Sequence, residues 1–218
     1  MDLKDKICLI TGASRGLGAA LAEALGAEGA HIIALARTAG ALEEIDDRIQ
    51  AQGGSTTLVP LDLNDTGGIR RMGQSLHDRW GGIDLWIHTA IHAAPLTPAN
   101  HIDGKDFAKS VDTNITATKD LIESVDPLLR AKKGRAIYIS DPEASGKFFG
   151  SYGATKAAQT QLFEIWAAEM AASGFDVYGF AAQPMPTATR ARFFPGEDKS
   201  GLTSPSAEAA RLISEYLR

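Results

Sequence analysis

Short apolar runs alternate with longer amphipathic stretches along the whole chain. The apolar runs predict strands over residues 6–11, 31–36, 56–63, 83–90, 136–140 and 176–182. Between them, apolar residues recur at helical spacing, which predicts helices over 16–29, 40–52, 69–80, one or two within 103–131, 150–172 and 205–217. Because strands and helices alternate, we expect an α/β fold with a doubly wound, mostly parallel, Rossmann-like sheet and helices on both faces.

Length and charge narrow the class of protein. The 218 residues suit one well-buried domain over residues 1–218. Acidic and basic residues are mixed along the chain and give a net charge of −5, so we expect no nucleic-acid partner. The apolar run near the N-terminus is too short for a signal peptide or a membrane span, and the single cysteine, Cys8, cannot form an internal disulfide. We therefore expect a cytoplasmic protein with no membrane partner and no metal site.

A glycine-rich segment, "TGASRGLG" at residues 11–18, lies between the first strand and the first helix. Glycines allow the backbone to turn sharply and to approach a pyrophosphate, while the helix N-terminus offers free N–H groups and a partial positive charge. At the start of a doubly wound fold this pattern predicts a dinucleotide site. The residues expected to contact the cofactor here are Gly12, Ser14, Arg15, Gly16, Leu17 and Gly18.

The residues after the second strand indicate which dinucleotide binds. That strand ends at Ala36 and is followed by Arg37, so no carboxylate is present to bind a ribose 2′-hydroxyl or to repel a 2′-phosphate. Arg37 and Arg15 could pair with such a phosphate, which favours NADP over NAD. Alternatively, both arginines are solvated or pair with acids such as Glu43. Asp62, after the third strand, suits the adenine edge, but an aspartate that caps a turn is the alternative.

Several motifs together resemble the short-chain dehydrogenase/reductases in their single-domain form. They are "TGASRGLG" (11–18), "LDL" (61–63), "VDTNITA" (111–117), "YGATK" (152–156) and Thr187. The resemblance implies hydride transfer between a nicotinamide and a small carbonyl or alcohol substrate. It also implies further cofactor contacts at Asp62, Leu63, Ala90, Tyr152, Lys156 and Thr187.

The resemblance assigns the proton chemistry to three residues. Tyr152 would donate a proton to a substrate carbonyl, or act as the base in the oxidative direction. Lys156, one helical turn further on, would lower the pKa of Tyr152 and hold the nicotinamide ribose hydroxyls. Asn114 would support a water-mediated proton path to Lys156. Taken alone, Tyr152 and Lys156 could be a chance pair on a helix, and Asn114 could be a buried residue at a helix start.

The serine that the family places near the substrate oxygen is ambiguous in this chain. Ser140 lies 12 residues before Tyr152, but counting forward from Gly134 puts Asp141 in that place. An ionised carboxylate there would repel a developing oxyanion, so the chemistry favours Ser140 as the catalytic hydroxyl. Ser145 is a further candidate if the loop folds back.

Other positions also depart from the family pattern. Residues 88–91, "HTAI", stand where Asn-Asn-Ala-Gly is expected, and His88 is read as a structural histidine rather than a catalytic one. Ala182 and Gln183 replace Pro-Gly after the sixth strand. The chain ends at Arg218, so we expect six strands with the usual seventh missing.

The remaining expectations concern substrate and partners. Residues 188–204 lie where the family keeps a substrate lid, in which Phe193 and Phe194 could cover an apolar substrate and Arg190 and Arg192 an anionic one. A solvated loop without a substrate role is the alternative. The apolar helices at 114–131 and 150–172 predict a homodimer. The alternative to an enzyme is an NADP-binding sensor or scaffold with weak or lost catalysis.

Overall fold

A computed structural model describes residues 2–172 and 174–218. Within these residues six strands form one parallel sheet in the order β3-β2-β1-β4-β5-β6. The order reverses between β1 and β4, as in a doubly wound sheet, which confirms the predicted fold class. The strands are β1 Ile7–Thr11, β2 His31–Ala36, β3 Ser55–Pro60, β4 Leu85–His88, β5 Arg135–Ser140 and β6 Asp176–Ala181.

The helices lie close to their predicted positions. The stretch 103–131, predicted to hold one or two helices, forms two, α4 (Gly104–Val111) and α5 (Ala117–Lys132), joined by a π-helical segment at Asp112–Thr116. In addition, the expected lid contains a short helix, α7, that the apolar pattern did not predict. The helices are α1 Gly16–Ala27, α2 Ala39–Ala51, α3 Thr66–Trp80, α4 Gly104–Val111, α5 Ala117–Lys132, α6 Gly150–Met170, α7 Ala188–Phe193 and α8 Pro205–Tyr216.

Two apolar layers hold the helices on the sheet. On one face, α1, α2 and α8 bury residues such as Leu21, Ile45 and Leu212 against the strands. On the other face, α3, α5 and α6 pack around Trp86, whose ring centroid lies 5.5 Å from that of Phe163. Since the central strands are covered on both faces, they read as continuous apolar runs rather than as alternating patterns.

A buried carboxylate ties α8 to the end of β6. Glu208 is 1% exposed, and its Oε1 accepts a hydrogen bond from the Gln183 backbone N–H at 2.5 Å. Both Glu208 oxygens also accept from the Arg211 guanidinium. The charge of Glu208 is therefore paired within the protein, and the turn that replaces Pro-Gly is held by a side chain of the last helix.

No helix in residues 2–172 and 174–218 has both the length and the apolar character needed to cross a membrane.

The start of α1 lies very close to the turn that precedes it. A Cβ added to Gly18 would lie 2.3 Å from the carbonyl oxygen of Gly12, which is backbone and cannot move aside. By contrast, a Cβ on Gly40, in the exposed first turn of α2, would meet nothing within 4 Å. Both glycines are helical, but only Gly40 has room for a side chain.

We predict that Gly18→Ala lowers the free energy of unfolding by about 2 kcal/mol or more, because the methyl group forces α1 away from β1. Gly40→Ala is the matched control and should raise it by about 0.5 kcal/mol, because alanine favours the helix. Urea unfolding followed by tryptophan fluorescence measures both changes. Equal stability of the two variants would contradict the close approach.

Candidate active site

A cleft runs along the carboxyl ends of the strands, where doubly wound sheets bind their ligands. It is bounded by the segments that follow the six strands of the sheet, and by α7. Asn114 does not line it and is instead fully buried behind it. Ser145, the further candidate hydroxyl, does not line it either, and its Oγ donates to the Pro142 carbonyl at 3.3 Å. The remaining predicted site residues line this cleft: Gly12, Ser14, Arg15, Gly16, Leu17, Gly18, Arg37, Asp62, Leu63, Ala90, Ser140, Tyr152, Lys156 and Thr187.

The glycine turn has the geometry that a pyrophosphate site requires. Gly12 and Gly16 have φ values of 87° and 57°, in the left-handed region that favours glycine. A Cβ on Gly12 would lie 2.7 Å from the Ala90 nitrogen, so the turn and the end of β4 touch through backbone. No side chain caps the N-terminus of α1 at Arg15, and its first turn carries no acid. The amide groups of this helix end are therefore available to an anion, and the turn fits a dinucleotide phosphate.

Two arginines line the adenosine end of the cleft without carboxylate partners. Among the described residues, neither Arg15 nor Arg37 forms an ion pair, and Glu43 pairs with neither. Both line the cleft, and their contact with a 2′-phosphate stays a prediction. Asp62 has a turn role here, since its Oδ1 accepts from the Asn64 N–H at 3.0 Å.

The hydroxyl of Tyr152 donates a hydrogen bond to Asp141 rather than to Ser140. The distance from Tyr152 Oη to Asp141 Oδ2 is 2.8 Å. Asp141 directly follows β5, and its Oδ1 accepts from the Glu143 N–H at the start of a short 3-10 turn, Pro142–Ser145. Ser140 is the last residue paired with β6 and makes no hydrogen bond to Tyr152 in the described structure. Asp141 therefore meets the Tyr152 hydroxyl directly, while Ser140 also lines the cleft and stays a predicted catalytic residue.

The pKa of Tyr152 is shifted in the direction opposite to the one expected. Tyr152 is 4% exposed, and burial followed by the charge and hydrogen bond of Asp141 raises its pKa well above the ordinary value of 10.0. Lys156 does not produce the lowering that the helical spacing suggested. The hydroxyl consequently stays protonated at neutral pH, which is the form that can donate a proton.

Lys156 lies one turn beyond Tyr152 on α6, with 4% exposure. Its Nζ donates to Gln159 Oε1 at 2.6 Å. Burial lowers the pKa of Lys156 to about 8, and the Asp141 carboxylate opposes that shift. The ammonium is thus held by an amide of its own helix, and it forms no ion pair with Asp141.

From Lys156 a chain of buried polar side chains leads into the sheet. Gln159 Nε2 donates to Thr118 Oγ1 at 2.9 Å and lies 3.1 Å from His88 Nε2. Because Gln159 is the donor, His88 Nε2 accepts, and the proton on Nδ1 points to Thr11 Oγ1 at 2.8 Å. Burial, and then the charge of Lys156, lowers the pKa of His88 to about 3, so this histidine is neutral.

Gln159 is a residue that sequence reasoning missed. It is 1% exposed and stands three residues after Lys156, on the side of α6 that also buries Phe163. Its spacing to Lys156 and to Phe163, which places it on the buried face of α6, is the signal that could have identified it. His88, read from the sequence as structural, proves to be its partner.

Asn114 joins two parts of the site without touching Lys156. Its Oδ1 accepts from the His92 N–H at 2.7 Å, and its Nδ2 donates to the His92 carbonyl at 2.9 Å and to Thr155 Oγ1 at 2.9 Å. The π-helical segment that contains it opens the helix by one residue, a device often found at functional sites. Asn114 therefore fixes the loop after β4 against α6.

Helix α7 covers the end of the cleft at Tyr152. The ring centroid of Phe193 lies 4.9 Å from that of Tyr152 and 5.6 Å from that of Phe149. The lid arginines have partners: Arg190 pairs with Glu197 and Glu143, and Arg192 Nη1 donates to the Ala93 carbonyl at 2.8 Å. The first part of the segment 188–204 therefore packs an apolar side chain against Tyr152.

No group of three or more His, Cys, Asp or Glu side chains in the described part of the chain is arranged to hold a metal ion.

One protein family matches most of the chain. The family described as short chain dehydrogenase matches residues 6–198. This chain belongs to the short-chain dehydrogenase family. The match covers the glycine turn, the buried Asn114 and the Tyr152–Lys156 pair, so the resemblance of the motifs is confirmed.

Members of this family that are similar to the chain carry different names. A fatty acyl-CoA reductase of Acinetobacter baylyi is 31% identical over 173 residues. The aligned region covers 78% of this chain but only 59% of the reductase. The 3beta-hydroxysteroid dehydrogenase 1 of Eggerthella lenta is 30% identical over 221 aligned residues, which cover 97% of this chain and 80% of that protein.

A solved structure from Escherichia coli CFT073, described as a short chain dehydrogenase complexed with NADPH, has a TM-score of 0.88 and 26% identity. The superposition covers 99% of this chain and 91% of that one.

We predict that His88 makes folding sensitive to acid. Because it is neutral when folded and has an ordinary pKa of 6.5 when unfolded, the unfolded chain binds more protons below that pH, and stability falls as the pH falls. Relative to His88→Asn, the wild type should lose about 1.5 kcal/mol between roughly pH 6.5 and pH 5.

Urea unfolding at several pH values in this range gives the difference. His77→Asn, which removes an exposed histidine of α3, is the matched control for the loss of one imidazole. Parallel pH curves for the wild type and His88→Asn would refute the buried neutral histidine.

Proposed function

We propose that the protein is an NADP(H)-dependent oxidoreductase that transfers a hydride between the nicotinamide and the carbonyl carbon of a small substrate. The oxidative direction would convert the corresponding alcohol. The observation that carries this proposal is the buried, protonated Tyr152 hydroxyl at the end of a dinucleotide-type cleft. A donor with a strongly held proton, placed beside an apolar lid, suits reduction of a carbonyl.

The residues of the cleft fit the cofactor at each end. The glycine turn and the free amides of α1 would hold the pyrophosphate, and Arg15 and Arg37 the 2′-phosphate. The family relative from Escherichia coli that is complexed with NADPH supports this choice. When bound, the cofactor supplies the hydride.

Proton transfer would use three side chains of this protein. Tyr152 gives its proton to the substrate oxygen as the hydride reaches the carbon, so the hydroxyl must turn away from Asp141 at that moment. Lys156, with a pKa of about 8, is mostly charged at neutral pH and supports the phenolate that remains. Asn114 would keep the loop after β4 in place for this transfer.

A second candidate function is an NADP-binding sensor or scaffold with weak catalysis. One observation favours it: the hydroxyl that should meet the substrate is bonded to Asp141 at 2.8 Å. The enzyme is preferred because the ionisable groups of the site are buried, which a binding scaffold does not require.

We further propose that the protein forms a homodimer through helices 114–131 and 150–172, as expected from the sequence.

We predict that Tyr152→Phe reduces NADPH-dependent turnover of a carbonyl panel at least ~100-fold, because the proton donor is lost. NADPH affinity, measured by fluorescence titration, should change less than about twofold. Turnover that survives this change would remove Tyr152 from the mechanism. Tight NADPH binding by the wild type without turnover on any carbonyl would support the scaffold.

We predict that Arg37→Asp weakens NADPH binding about 100-fold and leaves NADH binding nearly unchanged, because only NADPH carries the 2′-phosphate that the guanidinium would bind. Arg48→Asp is the matched control, since Arg48 pairs with Glu23 on the surface. Equal losses for NADPH and NADH would overturn the cofactor assignment.

A further inference from the structure

The catalytic end of the cleft contains a carboxylate that no cation neutralises by direct contact. Asp141 Oδ2 is bound by the Tyr152 hydroxyl and Oδ1 by the Glu143 N–H. In the described residues Asp141 forms no ion pair, and the nearby ammonium of Lys156 is bonded to Gln159. The group that a substrate atom meets beside Tyr152 is therefore negatively charged.

The walls around this carboxylate are aromatic. Phe193, on α7, and Phe149, before α6, have ring centroids 4.9 Å and 6.3 Å from the ring of Tyr152. Aromatic faces beside a carboxylate attract organic cations. Of the two arginines beside this wall, Arg190 is paired with Glu197 and Glu143. Arg192 donates Nη1 to the Ala93 carbonyl and forms no ion pair in the described part of the chain.

The charge of Asp141 acts oppositely on two kinds of hydride acceptor. A carbonyl gains negative charge on oxygen as the hydride arrives, and a carboxylate at that point raises the energy of the transition state. An iminium ion is positive beforehand and is still partly positive in the transition state. The same carboxylate therefore stabilises its transition state relative to free substrate, which raises kcat/KM.

We propose that this cleft reduces cationic C=N substrates, iminium ions, in preference to neutral carbonyls, and that Asp141 determines the preference. The inference rests on the proposed hydride transfer but not on proton donation by Tyr152. In the step, the hydride from NADPH forms a C–H bond at the iminium carbon. The electron pair of the C=N π bond becomes the nitrogen lone pair, leaving a neutral tertiary amine and NADP⁺, with no proton consumed.

The test compares N-methyl-3,4-dihydroisoquinolinium with 2-tetralone, a neutral ketone of the same bicyclic skeleton, by NADPH oxidation corrected for the reaction without enzyme. The wild type should show a kcat/KM at least ~10-fold higher for the iminium ion. Asp141→Ser should lower this ratio at least ~10-fold, by slowing iminium reduction and speeding ketone reduction. An unchanged ratio would overturn the proposal.

Two further variants separate the charge of Asp141 from proton donation by Tyr152 and from the charge of Glu143. Tyr152→Phe should abolish ketone reduction but retain iminium reduction within about threefold, because the iminium ion needs no proton. Glu143→Gln is the matched control: it removes a carboxylate two residues away that pairs with Arg190, and it should change the ratio less than about threefold. If Glu143→Gln acts as strongly as Asp141→Ser, the assignment to Asp141 fails.

A binding measurement keeps the proposal testable without turnover. Calorimetric titration of N,N-dimethyl-1,2,3,4-tetrahydroisoquinolinium, which cannot be reduced, into the NADP⁺-loaded protein should show binding that Asp141→Asn weakens at least ~10-fold. If the wild type binds this cation but reduces neither the iminium ion nor the ketone, the proposed oxidoreductase is refuted while the cation site is supported. Cation binding that is unaffected by Asp141→Asn would refute the site.

Discussion

A buried ammonium group needs hydrogen-bond acceptors, because removing a charge from water without them is very unfavourable. This requirement organises the centre of the molecule. Lys156 is buried beneath the cleft and is bonded to Gln159, whose amide is then occupied by Thr118 and His88. His88 in turn needs a neutral ring and an acceptor at Thr11. The histidine that departs from the family pattern at the end of β4 and the glutamine on α6 are thus one coupled arrangement.

The fold was largely predictable because its signals are local. Apolar runs mark the central strands, and the glycine turn is recognisable because Gly12, Gly16 and Gly18 lie between the first strand and the first helix. Right-handed crossovers between parallel strands give a doubly wound sheet, although they do not fix the order of its strands. The bounds were less accurate where polar residues end a strand: β4 stops at His88, two residues before the predicted end.

The candidate site was predicted less completely, for two physical reasons. At the end of β5 successive residues point in opposite directions, so a shift of one position exchanges Ser140 for Asp141, and counting from either side gave different answers. Gln159 has no motif, because its role is set by a contact with His88, 71 positions away in the sequence.

The pKa of Tyr152 was misjudged since its spacing to Lys156 says nothing about burial or about the carboxylate that meets its hydroxyl. Family membership fixes the scaffold, but the substrate is decided by such individual side chains.

The hydrogen bond from the Gln183 N–H to Glu208 joins the floor of the cleft to α8. The turn after β6 has lost the stiffness of a Pro-Gly sequence and takes its position from a carboxylate on α8. Glu208 lies in the first turn of α8, and this helix is fixed on the sheet by the buried side chains of Ala209, Leu212 and Ile213. The packing of α8 therefore helps to set the shape of the cleft floor, although the helix contributes no side chain to its lining.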